Sequence, residues 1–153
     1  MPAPGTPAPA FSLANQNGDT VNLADLAGKK VILFAFPRAN TSGCAAQAKG
    51  FHDNLPQIEA AGGVVFGVSP DPVADLKAWH DQEKFGFDLL SDPDHSTIET
   101  YGAWGEKTVY GKTSIGVIRS HWVIGPDGNV MDERLKVAPA QSVALATETV
   151  TEG

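Results

Sequence analysis

The sequence predicts an α/β fold with a central mixed sheet and helices on both of its faces. Two continuous apolar runs, 30–36 and 64–69, flank a stretch whose apolar residues have helical spacing. Such runs are typical of strands buried on both faces, and a strand–helix–strand unit makes its two strands parallel. Hairpin signals at Asn17-Gly18 and at 126–129 add antiparallel strands near the two ends of the chain.

Length and composition favour one globular domain over residues 1–153. Hydrophobic residues make up 42% of the chain and charged residues 19%, which is enough apolar material for one core. Residues 1–9 are rich in proline, so we expect an extended arm there, and they have neither the basic start nor the apolar stretch of a signal peptide. No apolar run approaches the roughly 20 residues that span a bilayer, so we expect no membrane contact. A formal charge of −7 without a basic stripe argues against nucleic acid as a partner.

The first part of the chain is expected to form a hairpin followed by a strand–helix unit. Residues 11–13 and 21–23 alternate apolar and polar residues on either side of the turn, and 23–28 fits one helical turn with a glycine stop. Pro37 ends the buried strand before it. The helix that follows is indicated by apolar residues three and four positions apart, namely Ala45, Ala48, Phe51, Leu55 and Ile58.

The rest of the chain continues the alternation of strands and helices. Further strands are expected at 64–69, 87–90, 117–124 and 130–137, and further helices near 73–79, 94–101 and 139–150. Residues 102–116 are rich in glycine and show no clear period, so we predict a loop there. This order of elements gives a thioredoxin-like three-layer α/β/α sandwich with an N-terminal β-hairpin extension.

Cys44 is the only cysteine of the chain and falls where a buried strand is followed by a helix. A single cysteine excludes an intramolecular disulfide and fits a reducing compartment, so we expect the cytoplasm. Most isolated cysteines are buried hydrophobic residues. This one, however, lies in the first turn of a helix, where unpaired N–H groups and the helix dipole favour a thiolate. Because Thr41-Ser42-Gly43 before it add hydroxyls and flexibility, we interpret Cys44 as a nucleophile.

The four histidines, His52, His80, His95 and His121, are scattered over separate predicted elements. None has a second ligand at the spacing of a metal site, so we expect surface or core histidines and neither a metal nor a cofactor. The sequence leaves a Cys–His catalytic pair open, since no motif places a histidine beside Cys44.

The stretch Pro37-x-x-x-Thr41-x-x-Cys44 resembles the peroxidatic motif of the peroxiredoxins. Over residues 9–137 the chain is most similar to their peroxiredoxin Q subgroup, also called bacterioferritin comigratory protein. Further matches lie at 19–28, 43–53, 89–92, 102–112 and 119–124. The resemblance implies a thiol-dependent peroxidase in which Cys44 attacks a hydroperoxide while Thr41 and Arg119 hydrogen-bond the sulfur and the peroxide oxygens. The ring of Pro37 would also shield Cys44 from water.

Two positions depart from the pattern of that family. Ser42 replaces the usual proline before the Gly-Cys pair, which exchanges a rigid start of the helix for a hydroxyl. Lys49 occupies the position, five residues after Cys44, where many relatives carry a resolving cysteine. We therefore expect a one-cysteine enzyme, a monomer or weak homodimer. Its sulfenic acid would be reduced by thioredoxin, glutaredoxin or a low-molecular-weight thiol, or would pass through an intermolecular disulfide.

Ionisation of the thiol is too weak an effect to explain fast peroxide reduction by itself. A free thiol is a few per cent ionised at pH 7, so complete ionisation raises the thiolate fraction by at most roughly 30-fold. The lower nucleophilicity of a less basic thiolate offsets most of that gain. We therefore expect donors on the leaving oxygen to supply most of the rate, with Arg119, Thr41 and the Cys44 N–H as candidates.

Two other classes of function stay open from the residues alone. One is a thioredoxin-fold redox sensor or interaction protein, in which oxidation of Cys44 changes the affinity for a partner without sustained turnover. The other is a structural domain with an inert cysteine. Multiple-turnover peroxide consumption with an added thiol would separate the peroxidase from the sensor, and slow alkylation of Cys44 at pH 6 would indicate the inert cysteine.

Overall fold

The structure is a computed structural model that describes residues 3–39, 41–109 and 111–152. Its strands are β1 (Ser12–Asn15), β2 (Thr20–Asn22), β3 (Lys30–Ala35), β4 (Gly63–Ser69), β5 (Asp88–Ser91), β6 (Trp104–Val109), β7 (Lys112–Val117), β8 (Ser120–Ile124) and β9 (Val130–Arg134). Its α-helices are α1 (Ser42–Asp53), α2 (Leu55–Ala60), α3 (Val73–Glu83), α4 (Ser96–Thr100) and α5 (Pro139–Glu152), and Leu23–Leu26 forms a short 3-10 helix. In the described ranges, no helix combines the length and apolar character needed to cross a bilayer.

The main sheet is mixed, as the sequence predicts. Over the described residues it has seven strands in the order β2-β1-β5-β4-β3-β8-β9. Strand β4 pairs in parallel with both β3 and β5, which confirms the strand–helix–strand unit, and the other pairs are antiparallel. The N-terminal arm reaches the far end of the sheet, where Pro7 forms a bridge with Asn129 just before β9.

Strand β3 is buried on both faces because helices cover both sides of the sheet. The even-numbered residues 32–36 belong to a cluster with residues of α1, α3 and α5, and Cys44 is part of that cluster. The odd-numbered residues 31–35 belong to a second cluster with residues of α4, β7 and β8. The continuous apolar run of the sequence reflects this double burial.

The single helix predicted after Cys44 is divided in two. Helix α1 ends at Asp53, Asn54 has φ −95° and ψ 1°, and α2 begins at Leu55. Pro56 explains the division, because proline lacks an N–H and its ring clashes with the carbonyl four residues earlier in a continuous helix. The prediction was correct about the buried face and wrong about the continuity of the helix.

The loop predicted at 102–116 is wrong, because most of this segment forms the antiparallel hairpin β6–β7. Gly111, in the turn between the two strands, has φ +77°, a conformation that favours glycine. The hairpin forms a two-stranded sheet of its own, and Ile115 on β7 is 71% exposed. Over its described residues, neither face of this hairpin is fully buried. Its strands therefore lack the alternation of apolar and polar residues by which a strand is recognised in a sequence.

The strand predicted over 117–124 is interrupted. Strand β7 ends at Val117 and β8 begins at Ser120, so Ile118 and Arg119 lie between two strands that belong to different sheets. The Arg119 carbonyl accepts a hydrogen bond from the Val137 N–H at 3.0 Å. This interruption brings Arg119 to the end of the main sheet where α1 begins.

Candidate active site

The turn between β3 and α1 places Cys44 in the first turn of α1, as predicted. Thr41 precedes the helix with an extended backbone, and its carbonyl accepts the first helical hydrogen bond, from the Ala45 N–H at 2.8 Å. Cys44 is the third residue of α1, so its N–H is among the first four, which have no carbonyl acceptor within a helix. The cysteine is 1% exposed, so its sulfur lies beneath the surface of this turn.

Arg119 is the charged group that the structure brings to Cys44. Its Nη2 donates to Cys44 Sγ at 3.4 Å, although the two residues are 75 positions apart in the chain. Its Nη1 donates to Gln47 Oε1 at 2.8 Å. The guanidinium is therefore fixed at two of its nitrogens, one on the sulfur and one on a residue of the same helix.

Gly43 provides the space that the guanidinium occupies. A Cβ atom on Gly43 would lie 3.0 Å from Arg119 Nη2 and 3.7 Å from Cζ. The sequence suggests flexibility as the role of this glycine. The structure adds a steric role, because any larger residue would press against the arginine.

Thr41 and Pro37 lie at the same turn as Cys44. The Thr41 hydroxyl is exposed and donates to the Arg38 carbonyl at 2.9 Å. Among the described residues, no hydrogen bond joins Thr41 to Cys44. Pro37 is half-buried two residues after the end of β3, which stops at Ala35.

Asp71 anchors the segment that leads to Thr41, and the sequence analysis did not identify it. One of its carboxylate oxygens, Oδ2, accepts from the Ala39 N–H at 2.7 Å and from the Ser69 hydroxyl at 2.8 Å. Its carbonyl accepts from the Ser91 hydroxyl at 2.6 Å. Asp71 therefore ties the turn before α1 to the ends of β4 and β5.

Gln47 is a second site residue that the sequence analysis missed. It lies one helical turn after Cys44, is fully buried, and its Nε2 donates to the Ser142 hydroxyl of α5 at 3.0 Å. A buried amide needs partners for both of its ends. A polar residue within the buried stripe of the predicted helix was the signal that could have indicated it.

The histidines do not form a pair with Cys44. His52 accepts from the Gly86 N–H, His80 hydrogen-bonds the Phe87 carbonyl, and His95 stacks on Trp104. The fourth, His121, is buried and hydrogen-bonds Ser142. In the parts of the chain that the structure describes, no three His, Cys, Asp or Glu residues are grouped so as to hold a metal ion.

Comparison with known proteins identifies the family. The AhpC/TSA family model matches residues 4–133. Peroxiredoxin Bcp from Escherichia coli (strain K12) is 42% identical over 126 residues, which cover 82% of this chain and 81% of that protein. The bacterioferritin comigratory protein of Xanthomonas campestris has a TM-score of 0.89 at 26% identity, with 98% of each chain covered. A mutant of PrxQ from Xylella fastidiosa has a TM-score of 0.92, with 99% of this chain and 97% of that chain covered, but at 24% identity this likeness concerns the fold alone.

The matched region includes the turn that carries Cys44 and the break before β8 that carries Arg119. The thioredoxin-like fold expected from the sequence is confirmed by these structures. The peroxidase activity expected from the resemblance is confirmed by the relatives, which implies a hydroperoxide substrate and a thiol reductant. The chain thus belongs to the AhpC/TSA family and is a peroxiredoxin of the Bcp and peroxiredoxin Q group.

Proposed function

We propose that Cys44 is the peroxidatic nucleophile of this enzyme and that Arg119, Thr41 and the Cys44 N–H stabilise its transition state. The observation that carries the proposal is the position of Arg119 Nη2, 3.4 Å from Cys44 Sγ. A guanidinium stays charged and offers a planar set of donors, so it can hydrogen-bond the sulfur and a peroxide oxygen together.

The reaction begins when the Cys44 thiolate attacks one oxygen of a hydroperoxide, ROOH. An S–O bond forms as the O–O bond breaks, the peroxide gains two electrons, and the leaving oxygen takes up a proton to become ROH. Because negative charge grows on that oxygen, fixed donors beside it lower the barrier. The Thr41 hydroxyl already donates to Arg38, so its oxygen would serve as an acceptor for the peroxide O–H. Pro37, half-buried at the same turn, would limit the access of water.

We propose hydrogen peroxide and organic hydroperoxides as the substrates. The bacterioferritin comigratory protein of Xanthomonas campestris has alkyl peroxide reduction activity, which supports an organic substrate for this chain too. The same attack applies to both, since only the O–O bond of the substrate reacts.

We propose an external thiol as the reductant, because the chain has one cysteine. A first thiol would displace water from the sulfenic acid to give a mixed disulfide, and a second would release Cys44 and leave as the disulfide. Thioredoxin, glutaredoxin and low-molecular-weight thiols all fit this chemistry, as does a monomer or weak homodimer working in the cytoplasm. With Cys44 only 1% exposed, the start of α1 must move before such a thiol reaches the sulfur.

Substitution of Arg119 tests the proposed transition state. Arg119→Ala is expected to lower the second-order rate constant with hydrogen peroxide by about 100- to 1,000-fold, the usual effect of removing a fixed donor. Arg119→Lys should recover part of the loss, because it restores charge without the planar donors. Stopped-flow tryptophan fluorescence measures these rates. Equal rates for wild type and Arg119→Ala would refute the role of Arg119.

Intact-mass spectrometry tests the nucleophile and the reductant. One equivalent of peroxide should add one oxygen atom to the wild type and none to Cys44→Ser. Addition of each candidate thiol should then show the mixed disulfide and the return of the reduced mass. A sulfenic acid that persists with every thiol, and no multiple turnover, would instead support a redox sensor.

A further inference from the structure

A buried chain of hydrogen bonds leads from Arg119 to His121 on the adjoining strand. It runs from Arg119 Nη1 to Gln47 Oε1 (2.8 Å), from Gln47 Nε2 to Ser142 Oγ (3.0 Å), and from Ser142 Oγ to His121 Nδ1 (2.7 Å). Gln47, Ser142 and His121 are each 0% exposed. Beyond the half-buried Arg119, the chain therefore joins α1, α5 and β8 out of contact with water.

The directions of the first two hydrogen bonds follow from the arginine, which can only donate. Gln47 must present its carbonyl oxygen to Arg119, so its NH2 group faces Ser142 and donates to the hydroxyl oxygen. The Ser142 hydroxyl has its own proton left to donate, and His121 Nδ1 is the acceptor within reach. In the tautomer with its ring proton on Nε2, His121 ends the chain as an acceptor.

The surroundings of His121 keep it in that neutral form. Its Nε2 is 4.0 Å from Asp132 Oδ2, too far for a hydrogen bond. Burial lowers the pKa of His121 to about 4, with Asp132 opposing and Arg134 adding to that effect. Across the neutral range the ring therefore carries one N–H, and with that proton on Nε2 its Nδ1 is able to accept.

We propose that His121 is a positioning residue for peroxide reduction, which holds the Arg119 guanidinium against Cys44 by fixing the orientation of Ser142 and Gln47. This inference rests on the proposed role of Arg119. Without the acceptor at His121, the Ser142 hydroxyl can turn to the Ala138 carbonyl one helical turn earlier, which already receives the Ser142 N–H. The amide of Gln47 then loses the fixed partner that keeps its oxygen toward the arginine.

A matched pair of variants tests the proposal. His121→Leu removes the acceptor and keeps an apolar side chain of similar size, whereas His121→Asn places an amide oxygen near the position of Nδ1. We expect His121→Leu to lower the rate constant with hydrogen peroxide about tenfold, the effect of one hydrogen bond of typical net strength. We expect His121→Asn to stay within about threefold of the wild type.

A structural role alone would not give this pattern. Val123→Ala, on the same strand and equally buried, should lower the melting temperature and leave the rate constant unchanged. If His121→Leu fails to fold, Ser142→Ala is the second test, and the same tenfold loss is expected.

Wild-type rates in both His121→Leu and Ser142→Ala would overturn the proposal, as would equal losses in His121→Leu and His121→Asn. Failure of the proposed function has a different signature. In that case wild-type Cys44 would gain no oxygen from one equivalent of peroxide, whatever residue stands at position 121.

Discussion

Gly43, directly before Cys44, limits where the guanidinium of the distant Arg119 can lie. Its backbone lies so close to the guanidinium that a Cβ would be 3.0 Å from Arg119 Nη2, closer than most carbon contacts in proteins. The arginine in turn donates to the sulfur at 3.4 Å. A group that crowds the guanidinium at Gly43 therefore also disturbs its hydrogen bond to the sulfur.

Gly43→Ala is expected to change activity and stability in opposite directions. The new methyl group should push the flexible end of Arg119 from the sulfur and lower the rate constant with peroxide about tenfold, the effect of one hydrogen bond. The same change favours helix formation by about 0.5 kcal/mol, so the melting temperature should not fall. Stopped-flow kinetics and thermal unfolding measure the two quantities.

Gly105→Ala is a suitable control, because among the described residues its Cβ would meet only Ile118 Cδ1, at an ordinary 3.4 Å. This variant should react at the wild-type rate. If Gly43→Ala also reacts at that rate, the steric role of Gly43 is wrong.

The segment between β3 and α1 depends on a carboxylate from a different element. Asp71 follows β4 and holds the Ala39 N–H and the Ser69 hydroxyl with one oxygen. Hydrogen bonds to charged groups are stronger than neutral ones, so this carboxylate is well suited to hold a turn that must carry a reactive cysteine. The segment between β3 and α1 is thus held by Asp71 near its middle and by α1 at its end.

Asp71→Ala is expected to loosen that turn. The loss of an acceptor shared by a backbone N–H and a hydroxyl should lower the free energy of unfolding by about 1–3 kcal/mol. The rate constant with peroxide should fall as well, because Thr41 and the start of α1 lose their fixed position. Urea unfolding and stopped-flow kinetics measure both effects.

Asp75→Ala removes the same charge from the exposed start of α3 and serves as the control. It should change neither the free energy of unfolding nor the rate constant with peroxide appreciably. Asp71→Asn keeps one acceptor oxygen. Its free energy of unfolding and its rate constant should therefore lie between those of Asp71→Ala and Asp75→Ala. A wild-type rate in Asp71→Ala would contradict the anchoring role.

For the molecule as a whole, the sequence predicts the elements whose residues are buried. It does not predict which residues far apart in the chain come into contact. Strand β3 was predictable because cover on both faces demands a continuous apolar run. The hairpin β6–β7 was not, because its strands pair without burying a full face. The contact between Arg119 and Cys44 came from family resemblance, since no spacing rule joins residues 75 positions apart. The meeting of Ser142 with His121 likewise depends on how α5 packs on β8.

The stability of the whole molecule should depend on pH through His121. Its pKa is lowered from 6.5 to about 4 by burial, so between these values the unfolded chain binds a proton that the folded chain does not. Stability from this group is therefore complete above pH 6.5 and is lost as pH falls toward 4. The loss should be about 2 kcal/mol at pH 5 and about 3 kcal/mol at pH 4.

The comparison of wild type with His121→Asn isolates this effect, because all other titrating groups remain the same in both proteins. Asp92 is the most important of these. Burial raises the pKa of its carboxyl, so above pH 3.8 the folded chain holds its proton more strongly, and stability from Asp92 rises as pH falls. Urea unfolding at pH 7.5 and pH 5 should therefore show a loss in the wild type that exceeds the loss in His121→Asn by about 2 kcal/mol. Equal losses would mean that His121 takes up its proton in the folded protein as readily as in the unfolded chain, against its complete burial.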